Sequence, residues 1–94
     1  MKSNHIEGCK TIANHYGKDS QMLIAIEEMS ELTKELCKNK RGYERKKEIT
    51  EEIADVKIML VQLTALFGIE KEVDDMVDYK IRRQLRRMEQ ERGE

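Results

Sequence analysis

The stretch "EEIADVKIMLVQLTALFG", residues 51–68, decides how this chain reads. It holds no proline, closes on a glycine, and repeats apolar residues every three or four positions, the spacing of one face of an α-helix. Advancing about 100° per residue, Ile49, Ile53, Val56, Leu60, Leu63 and Phe67 fall within an arc of about 80°, the expected core stripe. Two carboxylates interrupt it. With Glu52 taken as zero, Leu63 lies about 20° to one side, and Met59 and Leu66 lie about 20° and 40° to the other. Glu52 is therefore inside the apolar stripe. Asp55, at i+3, borders it beside Leu66, so both carboxylates can face one point.

The helix before it carries the same device in "IEEMSEL", residues 26–32. Glu28 and Glu31 form an i, i+3 pair next to Leu32, with Ile24 between them on the wheel. Glu27 and Glu35 continue the acidic edge. Two consecutive helices with inward acid pairs would bring four carboxylates together, and an unpaired buried carboxylate is costly enough to take up a proton. Protons, arginines or divalent cations would relieve the cluster. Carboxylate ligation without His or Cys suits a hard cation, Mg²⁺ with Mn²⁺ as the alternative, and disfavours zinc.

Around this pair the chain punctuates into four helices and no strands. The first spans roughly 3–16, with Ile6, Cys9, Ile12, Ala13 and Tyr16 at helical spacing, and stops at Gly17. Asp19 or Ser20 is the expected cap of the second, whose apolar pattern runs through Met22, Ala25, Ile26, Met29, Leu32 and Leu36 to "KNKRG". The third starts between Tyr43 and Lys46 and runs to Phe67, with Gly68 beyond it, and the fourth covers about 70–90. With 94 residues, no proline, no tryptophan and one phenylalanine, the composition is that of an all-α protein. We expect a single domain over residues 1–94, a four-helix bundle. A lone chain of this size buries only about 60–65% of its unfolded surface, so a homodimer or homotetramer is expected to complete the core.

Composition also excludes. A net charge of −1 gives no global field for nucleic acid or an anionic membrane. No run approaches the roughly 18 apolar residues of a membrane span. Cys9 and Cys37 lack metal or redox spacing and read as reduced thiols, so a cytoplasmic location is expected. His5 and His15, ten residues apart, are not spaced as metal ligands.

The later part of the fourth helix supplies the complementary sign, with five basic residues and no acid from Lys80 to Arg87. Val73, Val77, Ile81, Leu85 and Met88 form its apolar stripe, and Lys80 and Gln84 share that arc, with Arg87 at its edge. Lysine as a point charge and arginine as a fork would hold a polyphosphate beside metals bound by the acids. There is a plainer alternative, in which the acids are ordinary helix surface and the chain is a non-enzymatic helical interaction protein whose acidic edge docks on a basic partner. A di-iron bundle is disfavoured, because the ExxH pairs of such sites are absent.

The ordered pattern "EExxE" then "ExxD", here Glu27, Glu28, Glu31, Glu52 and Asp55, resembles the MazG-like, all-α nucleoside triphosphate pyrophosphohydrolase superfamily. The resemblance extends from "HYGKDSQ" to "KIRRQLRR", residues 15–87. It implies a MazG-like fold that cleaves a nucleoside triphosphate between the α and β phosphorus atoms, releasing monophosphate and pyrophosphate. It implies that Glu28, Glu31, Glu52 and Asp55 hold Mg²⁺, that Glu27 orients or deprotonates water, and that Lys80 and Arg87 contact phosphates. Gln84 stands where many relatives carry Asn. His15, Tyr16 and Gln21 precede the acidic helix, where base contacts would lie. Such chemistry needs neutralised charge and positioned water rather than a protein nucleophile or a glycine-rich loop, and the sequence offers neither of those.

Overall fold

The computed structural model describes residues 1–93. They form four α-helices, α1 (Ser3–Tyr16), α2 (Lys18–Lys40), α3 (Lys46–Phe67) and α4 (Glu70–Glu91), and among the described residues there is no strand. No helix is long and apolar enough to cross a membrane.

The break between α1 and α2 is one residue wide. Gly17 takes φ 90°, ψ 166°, a region open essentially to glycine alone. Its N–H donates to the Ala13 carbonyl at 2.8 Å while its own carbonyl accepts from Gln21 N–H at 3.1 Å. The next helix thus restarts at once, and the expected cap at Asp19 or Ser20 is not used: Gly17 holds the cap position with no side-chain bond, and Asp19 falls in the first turn. There its charge still favours the helix N-terminus.

α2 ends differently. Tyr43 N–H donates to the Lys38 carbonyl and Gly42 N–H to the Asn39 carbonyl, with Gly42 at φ 103°, which is the Schellman closure. α3 ends with the same bonding, Ile69 N–H to Thr64 and Gly68 N–H to Ala65.

α2 and α3 then pack antiparallel in a fixed register. Gln21 meets Gln62 and, seven residues away on each helix, Glu28 meets Asp55, so the register is constant along the seam. The inward face of α2 carries Gln21, Ala25, Glu28, Leu32 and Glu35, and that of α3 carries Glu52, Val56, Met59, Gln62 and Leu66. Half of the stripe expected on α3 is corrected here, since Ile49, Val56 and Leu63 are half-buried but the other three residues are not. Ile53, Leu60 and Phe67 are exposed, because α3 is turned toward Gln62, which is 1% exposed. On α2, Met22, Ile26, Met29 and Leu36 are likewise exposed.

α1 lies mainly on α3 and more lightly on α2, burying Cys9 and Ala13, whose small side chains let the helices approach closely. α4 touches only α3, near the elbow after Gly68 where Val73 is half-buried, and no residue of α4 is fully buried. Val77, Ile81, Leu85 and Met88 are all exposed. The accessible surface is 7481 Å², against about 5,700 Å² for a compact monomer of this mass. The radius of gyration is 16.5 Å, against about 12 Å for a compact chain of this length. Much of the apolar surface that the sequence marks for burial is thus uncovered in the single chain.

Candidate metal centre

The α2–α3 seam is polar at regular intervals. Gln21, Glu28 and Glu35 recur every seven residues on α2, as Gln62, Asp55 and Glu48 do on α3. A seven-residue step returns a helix to nearly the same face, so these residues line one seam rather than scattering round the surface.

At one end Gln21 Nε2 donates to Gln62 Oε1 at 2.8 Å, and Gln62 Nε2 donates to Met59 Sδ at 3.7 Å. Gln21, a candidate base contact on sequence grounds, is buried and committed to this bond. His15 and Tyr16 are exposed and packed edge to face, with ring centroids 4.6 Å apart.

At the other end Arg45 Nε donates to Glu35 Oε1 at 2.6 Å, with Lys38 Nζ 3.9 Å from the second oxygen. The Arg45 hydrogen bond, with the charges of Arg45, Lys38 and Lys34, holds the Glu35 carboxyl below the usual carboxylate range despite its burial. The expectation that Glu35 extends the open acidic edge is therefore corrected. Glu35 is a buried, paired residue that ties the α2–α3 turn to the seam.

Between these two satisfied ends lie the unsatisfied groups. Glu28, Glu52 and Asp55 each offer a carboxylate oxygen, and the three oxygens lie within 4.8 Å of one another. Burial, then a hydrogen bond shared with Asp55, then the charges of Asp55, Glu52 and Glu31 push the Glu28 carboxyl up. Burial and the charges of Asp55, Glu31, Glu35 and Glu51 do the same to Glu52. No lysine or arginine pairs with the three among the described residues. Glu52 Oε2 is inaccessible to solvent and has no hydrogen-bond partner among the described residues. Such an atom is costly to leave bare, and the groups that relieve it are a proton or a cation. Asp55 is exposed, so the cluster opens to solvent on one side.

The donor set suits a hard divalent cation. The three groups that converge are all carboxylates, so every atom they would offer such an ion is a hard oxygen.

The remaining sequence candidates are placed as follows. Glu31 borders the cluster and its charge acts on both Glu28 and Glu52, but its side chain is half exposed and lies 3.8 Å from Lys34. Glu27 is exposed on α2. Lys80, Gln84 and Arg87 are exposed on α4, which makes no contact with α2, so within one chain they are not gathered beside the acids. The Glu35–Arg45 bond and the Gln21–Gln62 bond escaped the sequence reading, although the seven-residue polar repeat was there to find them.

Comparison with protein-family models, curated proteins and solved structures returns no match for this chain.

Proposed function

We propose that the chain is a Mg²⁺-dependent nucleoside triphosphate pyrophosphohydrolase that releases monophosphate and pyrophosphate. The observation that carries this reading is the convergence of Glu28, Glu52 and Asp55 on one point, with Glu52 Oε2 buried and unpartnered. A structural acid in a helix seam would be paired as Glu35 is paired, at 2.6 Å to arginine. Supporting it further is the pattern of Glu27, Glu28, Glu31, Glu52 and Asp55, which resembles that of MazG-like pyrophosphohydrolases.

In this reading Glu28, Glu52 and Asp55 hold the cation, with Glu31 at the margin. The bound ion supplies polarisation of a phosphate oxygen and a lowered pKa for water. The chain's own contribution is placement: the two interlocked ends of the seam fix the three carboxylates, and Glu27, on the solvent side, orients or deprotonates the attacking water. Lys80, Gln84 and Arg87 would reach the substrate from α4 of a second copy. The exposed apolar faces of α3 and α4 support a homodimer or homotetramer, and the spacing of Cys9 and Cys37, which suits reduced thiols, supports a cytoplasmic location.

A second reading is favoured by one feature, the amphipathic α4 that projects with Val77, Ile81 and Leu85 exposed. In that reading the chain is an interaction protein and the acids form a docking edge. Melting with and without Mg²⁺ separates the two: an enzyme that holds the ion in its folded state gains melting temperature by mass action, and an interaction module does not.

A further inference from the structure

The turn between α2 and α3 carries a second chemical feature that the acids do not use. A cavity of about 350 Å³ opens there, lined by Lys38, Arg41, Tyr43 and Arg45. Three of these four side chains are cationic and the fourth offers a phenolic hydroxyl. We infer that this cavity takes the terminal phosphates of a polyphosphate anion whose other end lies at the acid cluster. The inference rests on the metal reading for that second end, and on the cavity alone for the first.

Cations at a helix C-terminus often serve the helix dipole and its open carbonyls. That role is already filled in α2. The carbonyls of Cys37, Lys38 and Asn39 accept from the backbone N–H groups of Arg41, Tyr43 and Gly42, so the side chains are not needed to cap them.

Ion pairing does not use up the charge either. Arg41 forms no ion pair among the described residues, and neither the Arg41 nor the Tyr43 side chain makes a hydrogen bond among them. Of its side-chain nitrogens Arg45 places only Nε in a hydrogen bond among the described residues, that to Glu35, while Glu48 forms a long ion pair with one terminal nitrogen at 3.9 Å. The Glu35 bond fixes the guanidinium plane and leaves its terminal N–H groups as a preset fork for phosphate oxygens. Lys38, 3.9 Å from Glu35, keeps a mobile point charge beside it.

Position relates the cavity to the acids. Lys38 is seven residues beyond Glu31 on α2, and Arg45 is seven residues before Glu52. Seven residues advance a helix by about 10 Å, a gap that a lysine or arginine side chain and a chain of phosphates bridge together. These are the cations that the single chain itself sets at the end of the acidic seam, whereas α4 makes no contact with α2.

The test is calorimetric titration of inorganic tripolyphosphate into the full chain in metal-free, low-salt buffer. Three proteins are compared: the unaltered chain, Lys38→Gln/Arg41→Gln, and the charge-matched control Lys10→Gln/Lys57→Gln. Arg45 is left in place because Glu35 depends on it. Lys38 and Arg41 lie at the helix end, and superimposed thermal melts establish that the variants fold. We expect saturable binding by the unaltered chain, at least about tenfold weaker binding by the turn variant, and less than a twofold change in the control. Absence of saturable binding, equal binding by the turn variant, or an equal loss in the control each overturns the inference. A Mg²⁺ melting shift is read in parallel on the unaltered chain. Its absence defeats the metal reading and leaves the calorimetric result to decide the cavity, and its presence with an unaffected turn variant defeats the cavity alone.

Discussion

Glu28 on α2 and Asp55 on α3 bring their carboxyls together across the seam one heptad from the Gln21–Gln62 hydrogen bond and in the same register. The register that buries an amide pair at one step thus places two acids face to face at the next. Glu52 joins them with one oxygen sealed from water and unpartnered. Fold and site are therefore set by one helix pairing.

Glu52→Gln tests the site. The substitution removes a charge that the folded chain holds at a cost, so the variant without metal should melt at the same temperature or higher. It should also lose the Mg²⁺ melting shift, and turnover should fall by about 100-fold or more, beyond the loss usual for groups outside the direct ligand set. Full turnover in this variant would remove Glu52 from the centre.

The amide pair gives a thermodynamic cycle. Gln62→Leu leaves the buried Gln21 side chain without its partner and should cost about 1–3 kcal/mol. Adding Gln21→Leu removes both polar partners and should recover much of that loss. Denaturant unfolding of the two singles and the double reads the coupling, and additive losses would mean that the bond does not hold the seam.

Stability in acid should depend on Glu35. Its folded carboxyl is held below the unfolded value of about 4.3, so its contribution is fully present above that pH and lost as pH falls through the lower folded value. The groups facing it are Arg45 from the turn, Lys34 and Lys38 from its own helix, and Glu52 from α3. Glu35→Gln should therefore melt lower than the unaltered chain at neutral pH, with the two curves converging in strong acid. Parallel curves down to the lowest pH would show that the Arg45 bond adds nothing.

Gly17 joins two helices through a backbone conformation that side chains rarely adopt. Nothing lies within 4 Å of where a Cβ would be built, so any cost of Gly17→Ala is conformational rather than steric contact with neighbours. The loss should be about 1–3 kcal/mol in denaturant unfolding. A neutral result would mean that the α1–α2 junction relaxes into another geometry.

The sequence made the four helices legible because Gly17, "KNKRG" and Gly68 punctuate strong periodicity. It also put Glu52 on the wheel face of Met59, Leu63 and Leu66, and in the structure Met59 is buried and the other three are half-buried. What it misjudged was rotation. The arc through Ile53, Leu60 and Phe67 is as apolar as the face that packs, and hydrophobicity alone cannot say which of two apolar faces meets α2. The choice is made by polar complementarity between Gln21 and Gln62 and between Glu35 and Arg45, pairs far apart in sequence that a single-helix wheel does not join. The same blindness hid the fate of Glu35, whose partner lies across a turn.

The most direct measurement is product release from a panel of ribo- and deoxyribonucleoside triphosphates, with and without Mg²⁺, assaying pyrophosphate and orthophosphate separately. We expect Mg²⁺-dependent pyrophosphate with an equal amount of monophosphate from at least one nucleotide, and loss of both products in Glu52→Gln. Orthophosphate as the primary product, or no turnover across the panel together with no Mg²⁺ melting shift, would contradict a pyrophosphohydrolase built on Glu28, Glu52 and Asp55.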